Sequence, residues 1–225
     1  MLIIAIDTSG RHGSVALCRG DANSFETLQL STLEGGTYSA RLIPTIGEVL
    51  GNNGFSMNDI GGFAVVSGPG SFTGLRVGLA TVKGLCEILQ RPLATVSMLE
   101  AVATTRGSGV EHVTAILDAG RGEVYVGNYR LTSVGATLVR EYIVKLNDFA
   151  SVEDTPGELL TPDPSVSDSL FAKDLKVRLV APVQAGEIGH IGLRRLLAGD
   201  IADHITVDVN YIRRSDAEIF SAPKR

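Results

Sequence analysis

Apolar positions along this chain follow two rhythms. Leu2–Ile6 is a short continuous apolar run that ends in Asp7, Thr8, Ser9 and Gly10, which predicts a buried strand and a turn. Residues 13–19 and 24–31 predict two further strands, a meander with the first. Over 37–51 the period becomes helical: Leu42, Ile43, Ile46, Val49 and Leu50 fall on one face, and Gly51 suits the stop. Residues 63–67 predict another buried strand, which runs into the glycine-rich stretch 68–74, and a helix follows to about 90. Residues 92–96 predict a fifth strand, and Ser97 caps a short helix to about 105.

The second half is less regular. Arg106, Gly107, Ser108 and Gly109 form a flexible joint, so the expected division is a lobe at 1–106 and a smaller lobe at 107–225. Residues 113–117 and 123–131 predict paired strands around the turn Asp118–Gly122. The stretch 151–168, rich in Pro, Ser, Asp and Thr, predicts surface loops. A last helix is expected at 184–198, with Arg194 and Arg195 near its C-terminus, and the tail 217–225 is expected to be loosely held. One pattern recurs: strand, Asp, small residues, Gly-Arg, strand stands at 5–11 around Asp7 and again at 115–121 around Asp118. The two lie about half the chain apart, and duplication is the preferred account.

The helix after the glycine stretch is apolar on two sides. Leu75, Leu79, Val82, Cys86 and Leu89 share one side, and Val77, Ala80, Gly84 and Ile88 lie opposite. Such a helix needs two neighbours. The second side suits close approach by the 37–51 helix, by a helix of another chain, or by both.

Composition narrows the class. The chain has 225 residues, 44% hydrophobic and 20% charged, the profile of a folded globular protein. With 20 basic and 25 acidic side chains the net charge is −5, which argues against a broad grip on nucleic acid. Two cysteines, Cys18 and Cys86, give no disulfide framework and fit a reducing cytosol. The opening residues read as a strand rather than a leader, and no apolar run approaches the ~18 residues of a membrane span, so a cytoplasmic protein is expected.

The 68–74 loop is the strongest local signal. Its glycines and the following helix start form the type of turn that can cradle a phosphate, with Gly68, Gly70, Ser71 and Gly74 as the candidate positions. It is not a Walker A loop, because no Lys-Ser/Thr follows. It is not a dinucleotide fingerprint either, because Thr73 stands where the third glycine belongs. Pro69 rules out a nucleophile elbow around Ser71. A tight strand-to-helix turn capped by Ser71 or Thr73 accounts for the loop equally well. Asp7, with Thr8 and Ser9, stands where a carboxylate can hold a metal–phosphate complex, and Asp118 repeats it; both also suit a turn that the Asp caps itself. His12, His112, His190 and His204 have no partner at metal-ligand spacing, so no metal site is expected.

Asp7-Thr8-Ser9, the run Ser67–Gly78, Asp118–Tyr125 and Tyr211–Arg214 together resemble the bacterial TsaB family, in order and over nearly the whole chain. The resemblance implies an α/β fold of the actin-like ATPase superfamily (ASKHA), with two ribonuclease-H-like lobes. It implies a part in making threonylcarbamoyladenosine in tRNA, as the non-catalytic partner of the transferase TsaD, together with the ATPase TsaE. The implied pairing runs through helices of the first lobe, here Tyr38, Arg41, Leu42 and Thr45 with Val77, Ala80, Thr81, Gly84 and Ile88, and a homodimer through the same helices is also implied. Asp7, Thr8, Ser9, Gly68, Gly70, Ser71, Gly74 and Asp118 would then be vestigial phosphate loops, with ATP or ADP and metal on the partner subunits. TsaD-like enzymes carry a His-x-x-x-His pair where this chain has Met98 and Val102. A thioether and an isopropyl group do not replace two imidazoles. Tyr38-Ser39 departs from the His-Ser of many members. An independent ATP-dependent phosphotransferase or a glycoprotease-like enzyme of the same superfamily is the alternative. The phosphotransferase reading has Asp7 and the glycine loop in its favour; the protease reading lacks a recognisable metal site or nucleophile.

Overall fold

In the computed structural model, which describes residues 1–107, 109–132, 135–151, 156–210 and 212, the chain forms two units. The first comprises Met1–Ala101 and Val183–Val209, and the second Val102–Pro182 with residues from Asn210 onward. Of the Tyr211–Arg214 motif only Ile212 is among the described residues, and the 217–225 tail lies outside them.

The first unit is built on strands β1 (Leu2–Asp7), β2 (His12–Gly20), β3 (Phe25–Glu34), β4 (Gly62–Gly68) and β5 (Leu93–Ser97), ordered β3-β2-β1-β4-β5. The meander β1–β2–β3 is antiparallel, and β1, β4 and β5 run parallel. Helix α1 (Tyr38–Asn52) packs on β2 and β3, and α2 (Phe72–Leu89) packs on β4 and against α1. Ile43 is a correction to the expected α1 face. Leu42, Ile46, Val49 and Leu50 are buried, whereas Ile43, one step round the helix, is 52% exposed. Short helix α3 (Met98–Thr104) starts at Ser97, whose hydroxyl accepts from the Glu100 amide.

The second unit repeats the plan. Its strands β6 (His112–Gly120), β7 (Glu123–Thr132), β8 (Gly135–Lys145), β9 (Glu158–Thr161) and β10 (Val177–Leu179) are ordered β8-β7-β6-β9-β10, with the same antiparallel meander followed by parallel strands. Helix α4 (Pro164–Phe171) follows β9 as α2 follows β4. Its Val166 and Leu170 close a core with Ile116, Val124, Val126, Phe149 and Leu159. Asp7 ends β1, and Asp118 stands near the end of β6. The half-length echo is thus a repeat of topology.

Two differences from the sequence reading have clear causes. The stretch 151–168 holds β9 and the start of α4. Four strand residues among Pro, Asp and Thr are too few to show a period, and β9 is stabilised by its parallel neighbours β6 and β10. The second difference concerns α5 (Ala185–Ala198), expected in the C-terminal lobe, which packs on the first sheet. Ala16, Ala5, Ala64 and Ala94 lie in register across β2, β1, β4 and β5. Over this shallow row sit Gly189 and Gly192 of α5. An added Cβ on Gly189 would stand 2.5 Å from Cys18 Sγ, and one on Gly192 would overlap the Ala64 methyl. Helix and sheet approach closely because both contact surfaces lack side-chain bulk. The first unit gives way to the second at Ala101/Val102, five residues before the 106/107 division expected from the sequence.

Arg195 at the end of α5 donates from Nη2 to both Glu100 oxygens (2.9 and 2.8 Å) and from Nη1 to the Thr95 carbonyl. Glu100 is only 6% exposed. Removing Glu100 takes away the two charge-assisted bonds of the half-buried Arg195 and leaves it the Thr95 carbonyl and Asp200 at 3.6 Å. Glu100→Ala is therefore expected to cost about 3 kcal/mol, lowering Tm by roughly 6–12 °C for a chain of this size. Thermal denaturation followed by circular dichroism checks this; an unchanged Tm would show the pair to be dispensable.

Candidate functional site

The loops that follow the parallel strands β1 and β4 meet at the carboxyl end of the first sheet. The Ser71 amide donates to the Ser9 carbonyl at 2.6 Å, and Thr8 Oγ1 donates to the Gly74 carbonyl at 2.8 Å. Ser71 caps α2, its Oγ accepting from the Gly74 amide at 3.4 Å. Gly68 lies at φ +133° before a cis peptide to Pro69. Gly74 is required by proximity, since a Cβ there would overlap the Thr8 carbonyl oxygen. The Asp7–Ser9 turn and the 68–74 glycine loop are thereby held together as one construction. Asp118 belongs to the other unit. Its Oδ1 accepts from the Gly120 amide (2.8 Å), and its own amide donates to Asp163 Oδ2 (2.8 Å). The sequence signal for Asp163 is its Asp-Pro step, which opens helix α4 after strand β9.

Beside the paired loops lies a cleft of about 570 Å³, and Ser9, Arg11, Tyr38, Ser39, Thr73 and Val77 are among its lining residues. The sequence gives no sign that Arg11, Ser39 and Thr73 share a cleft, because only the fold brings the β1–β2 turn, the start of α1 and the start of α2 together. Asp7 is not part of the lining. It is 3% exposed, and its Oδ1 accepts from both the Ser9 amide (2.8 Å) and Ser9 Oγ (2.6 Å). Burial pushes its carboxyl above the usual range, and the bonds from Ser9 pull it down by less. Of the two readings the sequence left open for Asp7, the geometry matches the self-capped turn.

The fold implies a magnesium-nucleotide cleft, and these residues do not fit one. The lining offers hydroxyls, glycines and an arginine but no carboxylate, and Asp7 is turned away into the protein. Met98 and Val102 are both buried apolar residues. Among the described residues no group of three or more His, Cys, Asp or Glu is arranged to hold a metal ion. Burial pushes both cysteine thiols up to about 11, so neither offers a thiolate near neutrality.

The residues implied for partner contact divide. Tyr38, Leu42 and Thr45 are buried, and this corrects their assignment to a surface. Tyr38 instead donates its hydroxyl to the Gly10 carbonyl (2.8 Å) and holds α1 to the Asp7 turn; burial, and to a smaller degree Asp7, push its phenol up to about 12. Arg41 is exposed, 3.9 Å from Glu48. On α2, Val77 and Thr81 are half-buried, Ala80 and Gly84 are exposed, and Ile88 is 79% exposed. The inward row Leu75, Leu79, Val82 and Cys86 is buried. On α1 the outward positions include Ala40, Ile43, Pro44 and Gly47. Nothing lies within 4 Å of a Cβ placed on Gly47 or Gly84. Two adjacent helices thus expose small and apolar residues.

Two sheets of ribonuclease-H-like order in one chain, with hairpin and glycine loops joined at the carboxyl end of the first, define the actin-like ATPase (ASKHA) class of fold. A crystal structure from Pseudomonas aeruginosa, described as an uncharacterized protein with similarity to peptidase YeaZ, superposes with a TM-score of 0.77 at 24% identity, covering 94% of this chain and 99% of that one. YeaZ from the same organism superposes at 0.73, again at 24% identity, over 91% and 96%. The family model for TsaD, tRNA N6-adenosine threonylcarbamoyltransferase, matches residues 35–213. The chain belongs to that family, and its similarity within it is to the TsaB proteins. It is 37% identical over 133 residues to the Escherichia coli tRNA threonylcarbamoyladenosine biosynthesis protein TsaB, covering 58% of this chain and 55% of that protein. To the Bacillus subtilis protein of the same name it is 35% identical over 130 residues, covering 58% and 56%. The matches span little more than half the length of these curated relatives. No helix among the described residues is long and apolar enough to cross a membrane.

Proposed function

We propose that this chain is a non-catalytic scaffold in the formation of threonylcarbamoyladenosine in tRNA. It docks on the TsaD transferase through the outer rows of α1 and α2 and works with the TsaE ATPase. The observation that carries the reading is the outward row of α2. Val77, Ala80, Gly84 and Ile88 occupy one side of a helix whose other side is already buried, and a small apolar row of this type admits a close helix partner. The curated relatives carry the pathway in their names. The non-catalytic part rests on Asp7 being sealed beneath Ser9 and on Met98 and Val102 standing where the transferase has histidines. ATP or ADP and metal then belong to the partner subunits. A net charge of −5 agrees with tRNA held elsewhere in the assembly.

In a cell lacking this chain, threonylcarbamoyladenosine disappears from tRNA and returns on re-expression; mass spectrometry of tRNA digests reads the result. Normal modification without the chain would overturn the proposal. Titration of the isolated chain with Mg-ATP is expected to give no saturable heat. Tight binding would instead favour the phosphotransferase, because it would require Asp7 to emerge from beneath Ser9.

A further inference from the structure

Beside the outward row of α2 runs a segment with no role so far. After the α5 cap at Gly199, residues 200–209 form a strap with three fastenings. The Ala202 amide donates to the Leu93 carbonyl at 2.8 Å, an isolated antiparallel bridge on the outer edge of β5. Lys83 Nζ, from α2, donates to the carbonyls of Ile205 (3.1 Å) and Val207 (2.9 Å). His204 Nε2 lies 2.8 Å from Glu87 Oε2, one turn further along α2. Asp203 shapes the strap, accepting from the Ile205 amide (3.0 Å) and Thr206 Oγ1 (2.9 Å), and Val209 is buried beyond it.

The two anchors on α2 are placed significantly. Lys83 and Glu87 stand one position before Gly84 and Ile88, about 100° round the helix. They are the charged side chains bordering the C-terminal half of the outward row. At its N-terminal half Arg76 is stacked on the Phe72 ring at 3.7 Å. The strap gives Lys83 two carbonyls and Glu87 an imidazole. Both charges are thereby directed onto the chain's own backbone and side chains and away from Ala80, Gly84 and Ile88. A partner helix approaching a small-residue row must strip water from any charge beside it, and a charge left without a bond makes that costly.

We propose that residues 200–209 are a releasable strap that makes α2 competent to dock by occupying Lys83 and Glu87. The proposal rests on the docking reading above and concerns its regulation. The fastenings are mostly solvent-facing polar contacts, individually weak, so the strap opens locally at far lower cost than the sheet.

The test compares three full-length variants with the wild type, using hydrogen exchange and affinity for a TsaD transferase. Asp203→Ala with His204→Ala releases the strap but leaves both charges on α2. Exchange at Ala202 and Val207 is expected to rise at least about tenfold, with α2 unchanged, and affinity to fall by a similar factor. Lys83→Met also loosens the strap but removes one of the charges, so affinity falls by less. Gly84→Arg is the control for docking itself. If it leaves association intact, the docking reading fails. If Gly84→Arg abolishes association while the double variant, with its strap open by exchange, binds like wild type, the strap proposal alone is overturned. It is overturned equally if the double variant exchanges like wild type, or if Lys83→Met binds more weakly than the double variant.

Discussion

Gly84→Arg is expected to abolish association with the transferase while leaving the isolated chain folded. A Cβ at position 84 has nothing within 4 Å, and the position is exposed in mid-helix. Replacing a helical glycine removes a conformational penalty of up to about 1 kcal/mol, so Tm stays level or rises by roughly 2–4 °C. In the proposed complex the same side chain puts a guanidinium into a close helix contact. An unpaired buried charge costs several kcal/mol, equivalent to at least about a hundredfold in Kd. Thermal denaturation and sedimentation of the mixed chains read the two quantities separately. A variant that still pairs at wild-type affinity would remove α2 from the interface.

The opposite outcome is expected ten residues earlier on the same helix. In Gly74→Ala the new methyl overlaps the Thr8 carbonyl oxygen and stands 3.3 Å from the Tyr38 ring. Neither neighbour moves freely. The Thr8 side chain is bonded back to the Gly74 carbonyl, and Tyr38 is held by its bond to Gly10. The first turn of α2 has to shift, separating the glycine loop from the Asp7 turn. This overpacking is expected to cost about 3 kcal/mol, a Tm loss of roughly 6–12 °C. Gly47→Ala, at an open site on α1, serves as the matched control and stabilises by up to about 1 kcal/mol. Wild-type stability in Gly74→Ala would mean that the two loops are not held together as described.

The first half of the chain was largely legible because its central strands are short apolar runs and its two long helices, α1 and α2, carry apolar stripes at helical spacing. The second was legible only at β6 and β7. Strand β8 is an edge strand with no buried position, its residues exposed or half-buried throughout, so its apolar residues show no alternation. Strands β9 and β10 have four and three residues, held by parallel neighbours rather than by any pattern of their own. At the site, the glycine loop and Asp7 could be picked out separately, but not which way the carboxylate faces. That direction is set by the two bonds from Ser9 and by burial.

By itself the sequence determined the local elements of the first half, the two-sidedness of α2, the Asp7–Asp118 echo and the absence of an imidazole pair at 98 and 102. Each is a property of residue type and spacing along the chain. Only the tertiary structure decided that α5 returns to the first sheet, that Tyr38, Leu42 and Thr45 are interior, and that a strap engages Lys83 and Glu87. Those outcomes depend on long-range complementarity, glycine over alanine across more than 120 residues and a lysine finding two distant carbonyls. No periodicity within one segment encodes a match between two.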